Sequence, residues 1–196
     1  MARARLSRAE RTALTRGEIL EAAERRFYRD GYHATTLEAI AEDAGYTKGA
    51  VYSAFASKAD LFLTLVDAVI EERLDEIGAL FASHPLGLER LTTLAERPIE
   101  ERTQRWALLL IEFWVHAARE PDLLERFAAR YRRVRDGLAA LAVETTTPLG
   151  AEAWALVTVA LVNGIALERA IDPDGVPEDL MARTQRLLYP PRSSST

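Results

Sequence analysis

The sequence predicts an all-α protein of about nine helices, a three-helix N-terminal domain followed by a larger C-terminal helical domain. Three observations predict this. Apolar residues recur at three- and four-residue intervals, with no two-residue alternation of the kind a half-buried strand needs. Hydroxyl residues able to accept from the orphan N–H groups of a first turn precede several of these stretches. Beyond residue 84, Pro85, Pro98, Pro121, Pro148, Pro173 and Pro177 cut the chain into intervals that each read as helix.

In chain order, the first helix is expected from about Arg16 to Asp30, with Thr15 and Glu18 as a capping box and Gly31 as its stop. It buries Ile19, Ala22, Ala23 and Phe27. The second starts at Thr35 or Thr36, with Thr35 and Glu38 as a second box, and lines up Leu37, Ile40, Ala41 and Ala44. Gly45 supplies the left-handed residue that ends it. Thr47 then caps a third short helix whose Val51 and Phe55 turn toward the first two, leaving Lys48, Gly49, Tyr52 and Ser53 on the opposite side. Ser57 and Asp60 open a fourth helix, from Lys58 to about Ser83, spanning roughly 35–40 Å. Further helices are expected over 87–96, 98–119, 121–146, 150–171 and 177–188. The 121–146 span carries the apolar stripe Leu124, Phe127, Tyr131, Val134, Leu138 and Leu141.

Residues 36–55 thus read as a helix-turn-helix, the third helix being the candidate reader of a DNA groove. The cap at Thr47 lacks an acidic partner, which suits a helix end that approaches phosphate. The overall charge of −5 conceals an asymmetry: residues 1–60 hold ten Lys/Arg and nine Asp/Glu, leaving +1, whereas residues 61–196 hold fifteen and twenty-one, leaving −6. Five arginines against Glu10 alone make residues 1–16 basic, which fits a DNA-contacting arm and a solubilising tail equally.

Composition excludes several classes. There is no cysteine, hence no disulfide or thiolate metal site, and a cytoplasmic location is expected. The longest apolar run, Ala153 to Leu167, is broken by Thr158, Asn163 and Gly164 and falls short of the roughly 20 residues of a membrane span. No signal peptide is read behind the N-terminal arginines. His33, His84 and His116 are scattered, and no zinc-protease, nucleophile-elbow, P-loop or dinucleotide motif occurs, so neither catalytic residues nor a cofactor nor a metal site is expected. Glu112 and His116 share a helix face, but two ligands alone more often make a surface hydrogen bond than a metal site.

The block I-A-E-D-A-G-Y-T-K-G-A-V-Y-S-A-F-A-S-K-A-D-L-F, Ile40 to Phe62, resembles the TetR (tetracycline-repressor-like) family of bacterial transcription regulators, and Ile19 to Thr36 also falls in register. The resemblance implies an all-helical homodimer in which three N-terminal helices bind DNA and the remainder binds an effector and dimerises. It further implies that Thr36, Tyr52 and Lys58 hold phosphates, while Thr47, Lys48, Gly49 and Ala50 sit at or near base edges, with Ser53 on the same exposed side. Many relatives have His where this chain has Ala54, which implies one phosphate contact fewer.

The expected organisation is a flexible basic arm (1–14), the DNA-binding domain (15–62), an effector-binding and dimerisation domain (63–189) and a disordered tail (190–196). The expected function is a ligand-responsive repressor that binds a palindromic operator and is released by a small molecule; the alternatives are a non-sensing architectural DNA-binding protein and, behind it, a helical enzyme. Two readers on one face of a duplex must lie about 34–36 Å apart, or a multiple of that, which requires a dimer. The 150–171 helix and the last helix, through Trp154, Val157, Leu161, Leu180, Leu187 and Leu188, are the candidate interface, the alternative being a monomer's central core. Trp106, Phe113, Trp114, Phe127 and Tyr131, with His116 and Asn163 as polar handles, are candidate effector contacts, though core packing alone also produces aromatic stripes.

Overall fold

The computed structural model describes residues 7–83, 94, 101–142 and 149–188. These residues form eight helices and, among them, no strand: α1 (Arg8–Ala34), α2 (Leu37–Ala44), α3 (Lys48–Ala54), α4 (Lys58–Ala82), α5 (Glu101–Ala117), α6 (Pro121–Ala142), α7 (Ala151–Ile171) and α8 (Leu180–Leu188). The helix expected over 87–96 and the tail over 190–196 lie outside the described residues, as does most of the first half of the arm. The chain divides into two compact units, residues 1–68 and 69–196.

In the first unit, α1, α2, α3 and the start of α4 enclose a core of Ile19, Ala22, Ala23, Phe27, Tyr32, Leu37, Ile40, Val51, Phe55, Leu61 and Phe62. Phe27 stacks on Tyr32 with ring centroids 5.9 Å apart, and Phe62 meets both edge-on at 5.1 and 5.2 Å. Such aromatic geometry adds to the burial that drives the unit together.

The last helix starts at Leu180, three residues after the expected 177, and two of the expected capping boxes do not form. α1 begins at Arg8, because Ser7 and Glu10 form the complete capping box: the Glu10 amide donates to the Ser7 hydroxyl at 3.2 Å and the Ser7 amide to the Glu10 carboxylate at 2.7 Å. The stretch after it is rich in Ala, Arg, Leu and Glu, all good helix formers, so the segment expected to be a flexible arm is helical from Arg8. Thr15 is interior to that helix and caps nothing. α2 is capped by Thr36, whose hydroxyl accepts from the Ala39 amide at 3.1 Å. Thr35 is buried and donates backward to the Gly31 carbonyl at 2.7 Å, so the expected box with Glu38 does not form.

The expected break at Gly31 is present within α1, with φ 79° and ψ 173°. Gly45 closes α2 with φ 71° and ψ 26°; its amide and that of Tyr46 bond back to the Glu42 and Ala41 carbonyls.

In the second unit α7 packs against α5, α6 and α8. Phe81, Leu138, Ala139, Ala142, Trp154 and Ala155 form one cluster, and Ile165 and Met181, with Leu161, Val162, Val176 and Leu180 against them, form another. α6 approaches α4 closely at Gly137, where an added Cβ would lie 2.6 Å from Leu74 Cδ1. α7 is long and apolar enough to cross a membrane by length and composition, but one face is packed in this core through Trp154, Ala155, Thr158, Ile165, Ala166 and Arg169. Arg169 Nη2 donates to the Pro177 carbonyl at 2.9 Å, which satisfies part of that buried charge.

Candidate nucleic-acid interface

α3 is held from three sides. The Thr47 hydroxyl accepts from the Ala50 amide at 3.2 Å and caps it. The turn before it is tied to α1 through Tyr46, whose hydroxyl donates to the Glu18 carboxylate and accepts from Thr15 at 3.4 Å. Its far end is tied by Arg16, which donates to the Ala54 carbonyl and, at 3.3 Å, to the Thr64 hydroxyl while lying 4.0 Å over the Phe55 ring. Arg26 joins α1 to α2 with a two-pronged contact to Asp43 at 2.7 and 3.0 Å. Arg16 and Arg26 were not singled out in the sequence, because their targets are brought close only by tertiary packing.

Val51 is fully buried beneath this frame, whereas Thr47, Lys48, Gly49, Tyr52 and Ser53 are exposed and Ala50 is half-buried. Thr36, at the N-terminus of α2, is exposed as well. Tyr52 is 52% exposed, a large fraction for an aromatic ring in a packed unit. An added Cβ on Gly49 would meet only Thr47 Oγ1, at 3.9 Å, so nothing inside the protein requires glycine there. Glu38 of α2 reaches across to this surface: its Oε1 lies 3.6 Å from Lys48 Nζ and accepts from the Tyr52 hydroxyl at 3.3 Å. Its carboxyl is held below the ordinary value, chiefly by a bond from its own amide, with Lys48 and Tyr52 contributing; the same charge pushes the Tyr52 hydroxyl upward.

Lys58 is placed differently from the other candidates. Its ammonium donates to the carbonyls of Tyr32, His33 and Thr35 at 2.8, 3.3 and 2.8 Å and lies 4.4 Å from the Tyr32 ring centroid. It satisfies the orphan carbonyls at the end of α1, work that competes with the phosphate contact the resemblance implies.

The effector candidates separate into two groups. Phe113 and Phe127 meet edge-on at 5.1 Å and Phe127 and Tyr131 at 5.2 Å; Asn163 donates to the Tyr131 hydroxyl at 3.0 Å, and His116 lies beside Phe113. Burial pushes the Tyr131 hydroxyl above its ordinary value. These five residues, from α5, α6 and α7, form one cluster. Trp114 is 53% exposed and Trp106 half-buried. His116 Nε2 lies 3.8 Å from a carboxylate oxygen of Glu120, four residues on, and no group of three or more metal-binding side chains occurs among the described residues.

The interface candidates divide too. Trp154 is 1% exposed and sealed in its own unit's core, so it presents nothing to a second subunit. Leu161 and Leu180 pack around Ile165 and Met181, and Val157 is half-buried. Leu187 is 84% exposed, and the Leu188 side chain lies outside the described residues. Missed in the sequence was the outer stripe of α7, where Leu156, Ala160, Gly164, Leu167 and Ile171 are all exposed. Their spacing was visible in the sequence; which side of an all-apolar helix its own domain covers was not.

A capped, latched second helix with a polar outer face over a sealed apolar back defines a helix-turn-helix regulator of transcription. The particular family follows from its relatives. The chain belongs to the tetR family of bacterial regulatory proteins: residues 19–65 match that family, and residues 88–187 match the C-terminal part of the BetI-type transcriptional repressors. It is 42% identical over 98 residues to the HTH-type transcriptional regulator TtgR of Pseudomonas putida, covering 46% of each chain. It is 32% identical over 136 residues to the HTH-type transcriptional repressor AcnR of Corynebacterium diphtheriae, covering 63% of this chain and 70% of that one. The chain thus spans about half the length of TtgR and more of AcnR. Among solved structures, a transcriptional regulator from Saccharomonospora viridis in complex with choline has the same fold, with a TM-score of 0.72 at 21% identity over 89% of this chain and 94% of that one. These relatives are regulators, not enzymes.

Proposed function

We propose that the protein is a homodimeric repressor that reads a palindromic operator with α3 and leaves it when a small molecule binds the C-terminal domain. The observation that carries this reading is the two-sided character of α3, with Val51 sealed beneath and Lys48, Gly49, Tyr52 and Ser53 presented outward. Glycine at 49 has no internal cause, but it allows the close approach of a base edge or a phosphate. Thr36 and Tyr52 are assigned to phosphates, Thr47, Lys48, Gly49, Ala50 and Ser53 to the groove, and Lys58 to positioning the end of α1. The exposed stripe of α7, with Leu187 of α8, is assigned to the second subunit; Ala160 and Gly164 at its centre admit another helix closely.

The cluster of Phe113, Phe127, Tyr131, His116 and Asn163 is assigned to the effector. An effector that prefers the dimer with the wrong reader spacing draws population from the DNA-competent state, and complete reversal from 99:1 to 1:99 takes about 5.5 kcal/mol of differential affinity. Aromatic faces attract quaternary ammonium groups, and the Saccharomonospora viridis regulator is in complex with choline, so choline is the first probe. The test is selection of bound duplexes from a random pool, followed by gel shift with and without choline and other small cations and hydrophobes. Enrichment of a short palindrome released by one of these supports the reading. Broad binding without a palindrome returns it to an architectural protein.

A further inference from the structure

Two of the outward-facing groups of α3, Lys48 and Tyr52, converge on one oxygen, Glu38 Oε1, at 3.6 and 3.3 Å. All three side chains are substantially exposed, and surface pairs of this kind add little to folding. Their position gives the contact another consequence. We propose that Glu38 is an internal competitor for DNA, a carboxylate that occupies Lys48 and Tyr52 in the free protein where a phosphate or a base edge takes them in the complex. This rests on the assignment of α3 to the DNA groove.

A carboxylate is suited to the task because it offers, like a phosphate, an anionic oxygen to an ammonium and a hydroxyl at once. Held below its ordinary value, it is charged at neutral pH. Each duplex must displace it, so weak, sequence-independent binding is held down and a duplex that engages Lys48 productively is favoured over one that does not. Glu38 is therefore a positioning residue that acts through Lys48 and Tyr52, not a DNA contact.

The test uses the full chain, with Glu38→Gln and Glu38→Asp each alone and Glu38→Gln also in a Lys48→Ala background. Binding is measured by fluorescence anisotropy across a salt series, on a mixed-sequence duplex and on the duplex that the unsubstituted protein selects. Thermal melts confirm that the variants are folded. Glu38→Gln is expected to tighten the mixed-sequence duplex roughly two- to five-fold, the worth of a released surface pair, and to steepen the salt slope by about 0.9. Glu38→Asp keeps the charge but draws it back from Lys48; it is expected to tighten binding while leaving the slope unchanged. In the Lys48→Ala background the gain from Glu38→Gln should largely vanish.

Unchanged affinity in both single variants overturns the proposal. So does a gain confined to Glu38→Gln that persists without Lys48, which is plain charge repulsion. If the unsubstituted protein binds no duplex at low ionic strength, the assignment of α3 fails and this proposal with it. Binding by that protein with indifferent variants sinks the proposal alone.

Discussion

Lys48 and Lys58 carry the same charge, but their surroundings give them different work. Lys48 is 68% exposed beside a displaceable carboxylate, whereas the Lys58 ammonium already holds three carbonyls at the end of α1. Lys48→Ala is therefore expected to change which duplexes are selected as well as how tightly they bind, since a lost base-edge contact is worth about 1–3 kcal/mol of discrimination. Lys58→Met leaves those carbonyls without their donor and is expected to cost about 1–3 kcal/mol of stability in the first unit, while the salt slope stays as it was. Thermal melts and salt titrations on both variants check this. A Lys58→Met protein that melts normally but loses about one unit of salt slope would make Lys58 a phosphate ligand after all.

At the scale of the element, the break in α1 is a backbone requirement. Gly31 sits at φ 79° and ψ 173°, a region open essentially to glycine alone, and the reversal there brings Tyr32 against Phe27 and Phe62. Gly31→Ala is expected to cost about 1–3 kcal/mol and to lower the melting temperature by about 2–4 °C for each of them; an unchanged melt would mean the chain turns there without the glycine. Gly31, Gly45 and Thr47 were legible in the sequence because each acts on its own few residues, and Val51 and Phe55 because helical spacing alone puts them inward. The start of α1 was misread because Ser7 with Glu10 and Thr15 with Glu18 offer the same box, and only the helicity of the intervening arginine-rich turn decides between them. The approach of Glu38 to Lys48 and Tyr52 was illegible, since it depends on how α2 and α3 pack.

At the scale of the whole molecule, the proposed dimer turns on the outer stripe of α7, which under that proposal brings two copies of α3 to one duplex. A helix packed on one side by Trp154, Ile165 and Ala166 and still presenting Leu156, Leu167 and Ile171 to solvent leaves an apolar strip that a second copy would bury in self-complementary fashion. The sequence shows a helix apolar nearly all round but not which side its own domain covers, and Trp154 lies on the covered side. The two sides can be separated by substitution. Leu167→Glu with Ile171→Glu puts charge into the strip and leaves Trp154, Ile165 and Ala166 in place, and is expected to give a folded monomer by light scattering. Its affinity for the selected palindrome should fall about 10²-fold or more, because the second half-site is no longer bound as part of one molecule, while binding to a single half-site is retained. Trp154→Phe should do the reverse, lowering the melting temperature and leaving both the mass in solution and the palindrome's advantage over a half-site intact. A double-glutamate variant that remains dimeric would move the interface off α7.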